Sequence, residues 1–328
     1  MYESIYRRAL RMSWDLAWHH KFLWVFGMFA TILGQMGILE LLTKVGMASS
    51  TYALFPTWLA SPGVFKDAAQ NGGMALSTDG WVWFVCLLLI FVSLAAFFIF
   101  TAVSSQGALI RASAQFSKKE TLPSTSDAWT AGTKHFWKLL GVNVIKKLIL
   151  VILTIFVGWA TLPVVVVDVT TGYLIISLLV FILAAVVGMV VSFLAIYTAG
   201  YIVVEEYPVV KAIESAWRLF LSHWLVSAEV ALLVLFFNFL IGLIAVFALL
   251  VVFFPVLIAW MVAALTSSAA LWMAGLVVGL IFFTLFIIFL GSVFTVFTTS
   301  VWTNLFMKMH REGIRSRIVH VLSWRKGK

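Results

Sequence analysis

Long apolar runs alternate with short amphipathic stretches along this chain. In residues 205–224, EEYPVVKAIESAWRLFLSHW, the helical period gathers Lys211, Glu214, Ser215, Arg218 and Ser222 into one arc. Val209, Ile213, Ala216, Trp217, Phe220 and Trp224 cover the opposite side. Pro208 suits the first turn of a helix, where its missing N–H has no partner to lose. Lys and Arg on one face with Trp and Phe on the other fit a membrane–water interface. Two further stretches resemble this one. Residues 1–21 carry Arg7, Arg8, Arg11, Asp15 and His19 on one face, with Ile5, Ala9, Met12 and Leu16 opposite. Arg11 and Asp15 are spaced to pair one helical turn apart. Residues 127–140 place Asp127, Thr130, Lys134 and Lys138 against Trp129, Phe136, Leu139 and Leu140, and the preceding serines offer an N-cap.

Between these stretches lie six apolar runs of spanning length: 22–42, 81–103, 148–167, 173–204, 226 to the region of Pro255, and 271–301. Lys146 and Lys147 fix the start of the third. Tight turns are expected at 168–172 and 266–268. Residues 43–80 form the longest loop, rich in Ser, Thr and Gly but carrying Tyr52, Phe55 and Trp58, so it is expected to lie on the outer leaflet. The fold class that follows is an all-α integral membrane protein. It has six transmembrane helices with amphipathic interfacial helices, in one membrane domain over 1–328.

Composition removes the soluble alternatives. The 328 residues are 63% hydrophobic and only 11% charged, with mean hydropathy +1.09. A soluble domain has about 25% charged residues, so lipid must be the solvent for most of this chain. The formal net charge of +9 invites a nucleic-acid reading, but the Lys and Arg flank apolar spans and no recognition motif accompanies them. Their distribution is that of membrane orientation. One side holds Arg7, Arg8, Arg11, Lys21, Arg111, Lys118, Lys119, Lys134, Lys138, Lys146, Lys147, Lys211, Arg218 and the basic tail 305–328. The other keeps only Lys44 and Lys66. The positive-inside rule then puts both termini on the cytoplasmic side of the membrane. The basic N-terminal stretch reads as an uncleaved anchor. The lone Cys86 excludes an intrachain disulfide.

The amphipathic stretches also end alike, each at a His beside aromatic residues: His20-Lys21-Phe22, His135-Phe136-Trp137 and His223-Trp224. Each leads into two spans, which frames repeat units 1–104, 105–204 and 205–304 in one orientation. The alternative is that any helix entering lipid from the cytoplasm acquires Trp and His at the interface.

Chemistry is sparse. The six His lie at interfacial helix ends or in the tail, and no zinc spacing, P-loop or nucleophile elbow occurs. No cofactor, metal or catalytic set is expected. The candidate intramembrane polar residues are Glu229, Asn143, Asn238 and Gln35. A carboxylate at membrane depth marks a functional site by default. The alternative is that Glu229 lies about a turn below Trp224, within reach of headgroups or of Lys146 or Lys147. Asn143 and Asn238 suit interhelical hydrogen bonds. Arg7, Arg8, Arg11, Lys146, Lys147, Lys211 and Arg218 are the candidate contacts to anionic lipid headgroups.

Glu205-Glu206, Val210-Lys211-Ala212, Ser215-Ala216-Trp217-Arg218-Leu219 and Trp224 together form a short motif. It resembles that of the poorly characterised bacterial six-span proteins related to the membrane domain of some glycerophosphodiester phosphodiesterases. The likeness covers most of the chain, including the Arg111 to Lys119 loop and Thr303-Asn304-Leu305. It implies topology and an inner-membrane setting. The hydrolase activity of that family belongs to a separate metal-binding barrel that nothing here matches.

The expected function is therefore non-enzymatic: a membrane scaffold, or a module engaging lipid, a membrane-protein partner or a second copy. The rival is a permease-like transporter of a small or apolar substrate, with Glu229 or Gln35 on its path. A lipid enzyme would have only His135, His223 and Glu229 to work with.

Overall fold

Five helices among the described residues are long and apolar enough to cross a membrane, as befits a multi-pass membrane protein. The computed structural model describes residues 5–31, 78–119, 121–166, 171–267 and 269–312, and every regular element among them is helical. In order these are α1 Ile5–His19, α2 Leu23–Thr31, α3 Thr78–Lys119, α4 Thr125–Lys134, α5 Phe136–Val166, α6 Thr171–Val204, α7 Val209–Ser222, α8 Trp224–Thr266 and α9 Ala269–Glu312. The crossing candidates lie in α3, α5, α6, α8 and α9. α2 covers the start of the first expected span; the remainder of that span, with Gln35, and the basic tail beyond α9 lie outside the described residues.

Stretches 1–21 and 205–224 each form a helix that stops at the His, whereas 127–140 is split at His135, with Phe136, Lys138, Leu139 and Leu140 in the helix that follows. His20, His135 and His223 stand between α1 and α2, α4 and α5, and α7 and α8. The His carbonyl accepts an early backbone bond of the helix that follows, from Leu23, Leu139 and Ser227 N–H respectively, each at 3.0 Å. The break therefore leaves that carbonyl satisfied. The starts have local causes too. The Ser124 hydroxyl accepts from Asp127 N–H at 3.1 Å, capping α4. Pro208 is the N-cap of α7, one position ahead of the helix, with φ −66° and ψ 154°.

Two of these short helices, α1 and α7, have three faces rather than two. In α7, Ala212, Ala216 and Leu219 are buried, while Lys211, Glu214 and Arg218 are exposed; Val210, Ile213, Trp217 and Leu221 form a third face, exposed and apolar. In α1 the buried set is Ala9, Ser13, Leu16 and Ala17, the charged set includes Arg11 and Asp15, and Trp14 stacks on Trp18 in the open. Asp15 pairs with His19 at 2.8 Å, where spacing had also offered Arg11. α4 buries Ala128 and Gly132 and exposes Asp127, Thr130 and Lys134. The residue seven positions before each junction His is small, and Ser13, Ala128 and Ala216 are all 0% exposed.

What those faces pack on follows a cyclic order. α4 lies on α3 and α7 on α6, each on the long helix before it in sequence, and α1 lies on the last, α9. α3, α6 and α9 also meet one another at this end. Small residues permit the close approach: a Cβ on Gly132 would run into the Ser104 carbonyl, and one on Gly27 into that of Ser292. The buried core is concentrated here, in residues 102–116, 193–203 and 294–309 and in the three short helices, which form a collar around it. Farther along, 85–100, 171–190 and most of 232–290 are apolar and largely exposed. Such a surface suits hydrocarbon and not water.

Four helices have boundaries that differ from the sequence expectation: α3 continues past Val103 to Lys119, α5 begins at Phe136 and runs through Lys146 and Lys147, and α8 and α9 both extend. α8 runs through Pro255 to Thr266, ending at Ser267 in the left-handed region (φ 52°). α9 continues past Val301 to Glu312. Proline inside a helix removes one hydrogen bond, which a helix packed against a neighbour tolerates in lipid, and α8 packs along α9. At 43 residues and about 1.5 Å per residue, α8 is about twice as long as the hydrocarbon layer is thick.

Candidate functional site

Polar groups gather where the long helices converge. α3 is apolar until Val103 and then reads Ser-Ser-Gln, so Gln106 enters the bundle just past the apolar run. Asn143 on α5 donates to the Gln106 side-chain carbonyl at 2.7 Å and to the Leu139 carbonyl at 3.0 Å. Beside this pair, Gln106, Lys146, Ser192, Thr298, Trp302 and Thr303 line a cleft between α3, α5, α6 and α9. The cleft holds about 40 Å³ of space open to water-sized molecules, enough for more than one water. Ile196 and Phe306 give it an apolar wall.

Two polar atoms in the cleft lining are unsatisfied. Trp302 and Thr298 are 2% and 5% exposed, and neither the indole N–H nor the threonine hydroxyl has a hydrogen-bond partner. Buried donors are ordinarily paired, with protein or with a bound molecule. The Ser104 and Ser105 hydroxyls and the Asn304 side-chain carbonyl nearby are unsatisfied as well, while other polar groups at this level tie helices together. The Asn304 amide donates to Ser13 at 3.1 Å, the Tyr197 hydroxyl meets that of Ser227 at 2.7 Å, and Thr31 meets Thr295 at 2.8 Å. The Ser292 hydroxyl donates to the Trp24 carbonyl.

A second polar feature is the linker between α6 and α7. Glu206 holds φ 57°, and Lys134 donates to both its carboxylate oxygens at 2.9 and 3.0 Å. The Lys134 hydrogen bond and charge hold the Glu206 carboxyl below its usual range. Lys211 sits 4.4 Å over the Tyr207 ring. On the other side His310 lies 3.8 Å from Glu205 and its Nδ1 3.3 Å from the Tyr201 hydroxyl. His135 is buried between α4 and α5, its Nδ1 without a partner. Burial foremost, then the charges of Lys134 and Lys138, push its pKa down; Glu206 opposes them and Arg111 adds to them.

The sequence candidates fall in different places. Asn143 and Lys146 reach the cleft or its edge, and Lys147 is exposed. Arg11, Lys211 and Arg218 lie on exposed faces of the collar, Arg218 bonding Glu214 at 2.6 Å. Glu229 is half-buried near the start of α8 and does not line the cleft. His135 and His223 occupy separate helix junctions. The side chains of Arg7, Arg8 and Asn238, and the whole of Gln35, lie outside the described residues. Gln106, Thr298 and Trp302 were not anticipated. The signal was present in the Ser-Ser-Gln after the second span and in the Thr, Ser and Asn spread through 298–304. Among the described residues no group of three or more His, Cys, Asp or Glu could hold a metal ion.

Compared with protein-family models, characterised proteins and solved structures, the chain matches none.

Proposed function

We propose that this chain is a non-enzymatic scaffold of a bacterial inner membrane, whose collar engages anionic lipid headgroups or a membrane-protein partner on the cytoplasmic face. One observation carries this reading. Two of the three collar helices, α1 and α7, are held to the bundle by one face and turn a charged face and an apolar, Trp-bearing face outward, while α4 turns out a polar face and packs its Trp129 against Phe26. That division suits a helix lying in the plane of the interface, with Trp at headgroup depth and Lys or Arg beside phosphate. In this reading α2 begins a sixth span, both termini are cytoplasmic, and 1–104, 105–204 and 205–304 are repeated units. The cyclic packing of α1, α4 and α7 favours the repeat. The likeness to the six-span relatives of phosphodiesterase membrane domains belongs to the same proposal and carries topology only.

Native mass spectrometry of the purified chain with retained lipid tests it. Lys211→Ala with Arg218→Ala is expected to reduce the number of anionic phospholipids retained while leaving the fold intact. The rival reading is a permease whose path runs between the helices past Glu229. Robust solute flux in proteoliposomes, abolished by Glu229→Ala, would overturn the scaffold reading.

A further inference from the structure

The cleft has a depth, a charge and unsatisfied donors, and each narrows what it could hold. Depth comes from counting residues. From Lys146 to the end of α5 at Val166 is twenty residues, about 30 Å of helix and about the thickness of a hydrocarbon core. From Trp83 to Gln106 on α3 is a similar distance. From Tyr173 to Ser192 on α6 is nearly the same. Three helices thus place the cleft at one membrane–water boundary, at the collar end, where phospholipid phosphates lie.

The charge is positive. Lys146 is the charged residue of the lining. The lining also includes Thr298, Thr303 and the Trp302 indole, all able to donate to an anionic oxygen, and Ser192, whose hydroxyl donates to the Gly188 carbonyl at 2.8 Å. Two of these donors are the buried, unpartnered Thr298 hydroxyl and Trp302 N–H. An unsatisfied N–H in a dry core is destabilising, and an acceptor arriving from outside would remove that cost. Ile196 and Phe306 on the same walls suit an acyl or glycerol segment continuing from the head.

We propose that this cleft is a specific site for the phosphate group of one anionic phospholipid, with Lys146 as its cation and Thr298 and Trp302 as donors. The site rests on the membrane placement of the preceding section but needs neither the scaffold role nor the collar charges. It differs from the collar in kind: the collar meets many headgroups from outside, and the cleft takes one head between helices.

The test is titration of the detergent-purified full chain with phosphatidylglycerol, read by native mass spectrometry and by thermal melting. Phosphatidylcholine and inorganic phosphate serve as separate arms. The expected result is one tightly held phosphatidylglycerol per chain and a rise in melting temperature with lipid. Lys146→Gln should weaken this binding about tenfold or more, the loss of one charge-assisted contact, and Lys147→Gln should not. Thr298→Val separates the site from a packing role. Removing an unsatisfied buried hydroxyl should leave the lipid-free protein as stable or more stable, yet diminish the lipid-induced shift. Displacement by millimolar inorganic phosphate would assign recognition to the phosphate alone, and no displacement would assign it to the whole lipid; both support the site. Equal affinity for phosphatidylcholine, or Lys146→Gln binding like the parent chain, would overturn it. Loss of lipid only in Lys211→Ala with Arg218→Ala would overturn the cleft and leave the collar reading standing.

Discussion

Lys134 on α4 grips both carboxylate oxygens of Glu206, at 2.9 and 3.0 Å, across the gap to the α6–α7 linker. Glu206 holds φ 57°, a region that a residue with a Cβ enters only at a cost. The contact thus joins two collar helices through a residue whose backbone prefers to be elsewhere. Both partners are more than half exposed, so salt should weaken the tie. Lys134→Glu is expected to lower the melting temperature in low-salt detergent, and adding Glu206→Lys to recover most of the loss. Glu206→Gly should be better tolerated than Glu206→Ala, because glycine adopts this φ freely. Equal losses for Gly and Ala would show that the backbone conformation carries no cost here.

Gly132 makes a sharper prediction. A Cβ at this position would meet the Ser104 carbonyl and the backbone N of Ala108, which cannot rotate away as a side chain could. Gly132→Ala should cost about 2 kcal/mol or more, since α4 must then lift from α3. Gly141, five residues into α5, has nothing within 4 Å of a built Cβ. Gly141→Ala should stabilise by about 0.5–1 kcal/mol through helix propensity. Paired melts of the two variants check both signs.

The third contact worth isolating closes the ring. Asn304 donates to Ser13 at 3.1 Å across 291 residues of sequence, with the two residues 1% and 0% exposed. It ties the N-terminal helix to the last one. Ser13→Ala and Asn304→Ala should couple by about 1 kcal/mol in a double-mutant cycle. Limited proteolysis should also cut α1 faster in either single variant. Additive effects would mean that the apolar contacts of Leu16 and Ala17 hold α1 unaided.

The collar helices were legible because they obey a period. Lys211, Glu214 and Arg218 recur at helical spacing, and the His in each stretch marks where the helix stops. Hydropathy alone supplied the long helices. Their ends were less legible: Pro255 reads locally as a terminator, yet α8 continues because α9 lies alongside it. The third face of the collar was hidden for a different reason. Ala212 and Leu219 are apolar like Ile213 and Trp217, and only the position of α6 decides which pair is buried. The cleft was hidden most fully. Its lining comes from four helices far apart in sequence, and Thr298 and Trp302 look like ordinary residues of an apolar run. Asn143 was expected to bond another helix, but that Gln106 is its partner follows from packing and not from spacing.

His135 gives the collar a pH dependence whose sign is fixed by its surroundings. It is 4% exposed. Burial, Lys134, Lys138 and Arg111 lower its pKa in the folded protein, against the opposing charge of Glu206. The unfolded chain, with an ordinary His pKa of about 6.5, therefore takes up its proton first as pH falls. Stability from this residue is fully present above the unfolded value and is lost as pH drops toward the folded one. Glu206 is also shifted down, so its contribution disappears only below the usual carboxylate range, about pH 4. The fall that begins below about pH 6.5 and precedes the carboxylate range belongs to His135. Melting temperature is expected to fall there in the parent chain, and His135→Gln should flatten the fall while leaving the profile within the carboxylate range in place. A profile whose slope above the carboxylate range is unchanged in His135→Gln would assign the effect to another group. Lys138→Gln discriminates further, since removing one of the cations that disfavour His135 protonation should shift the same fall to lower stability loss, not abolish it.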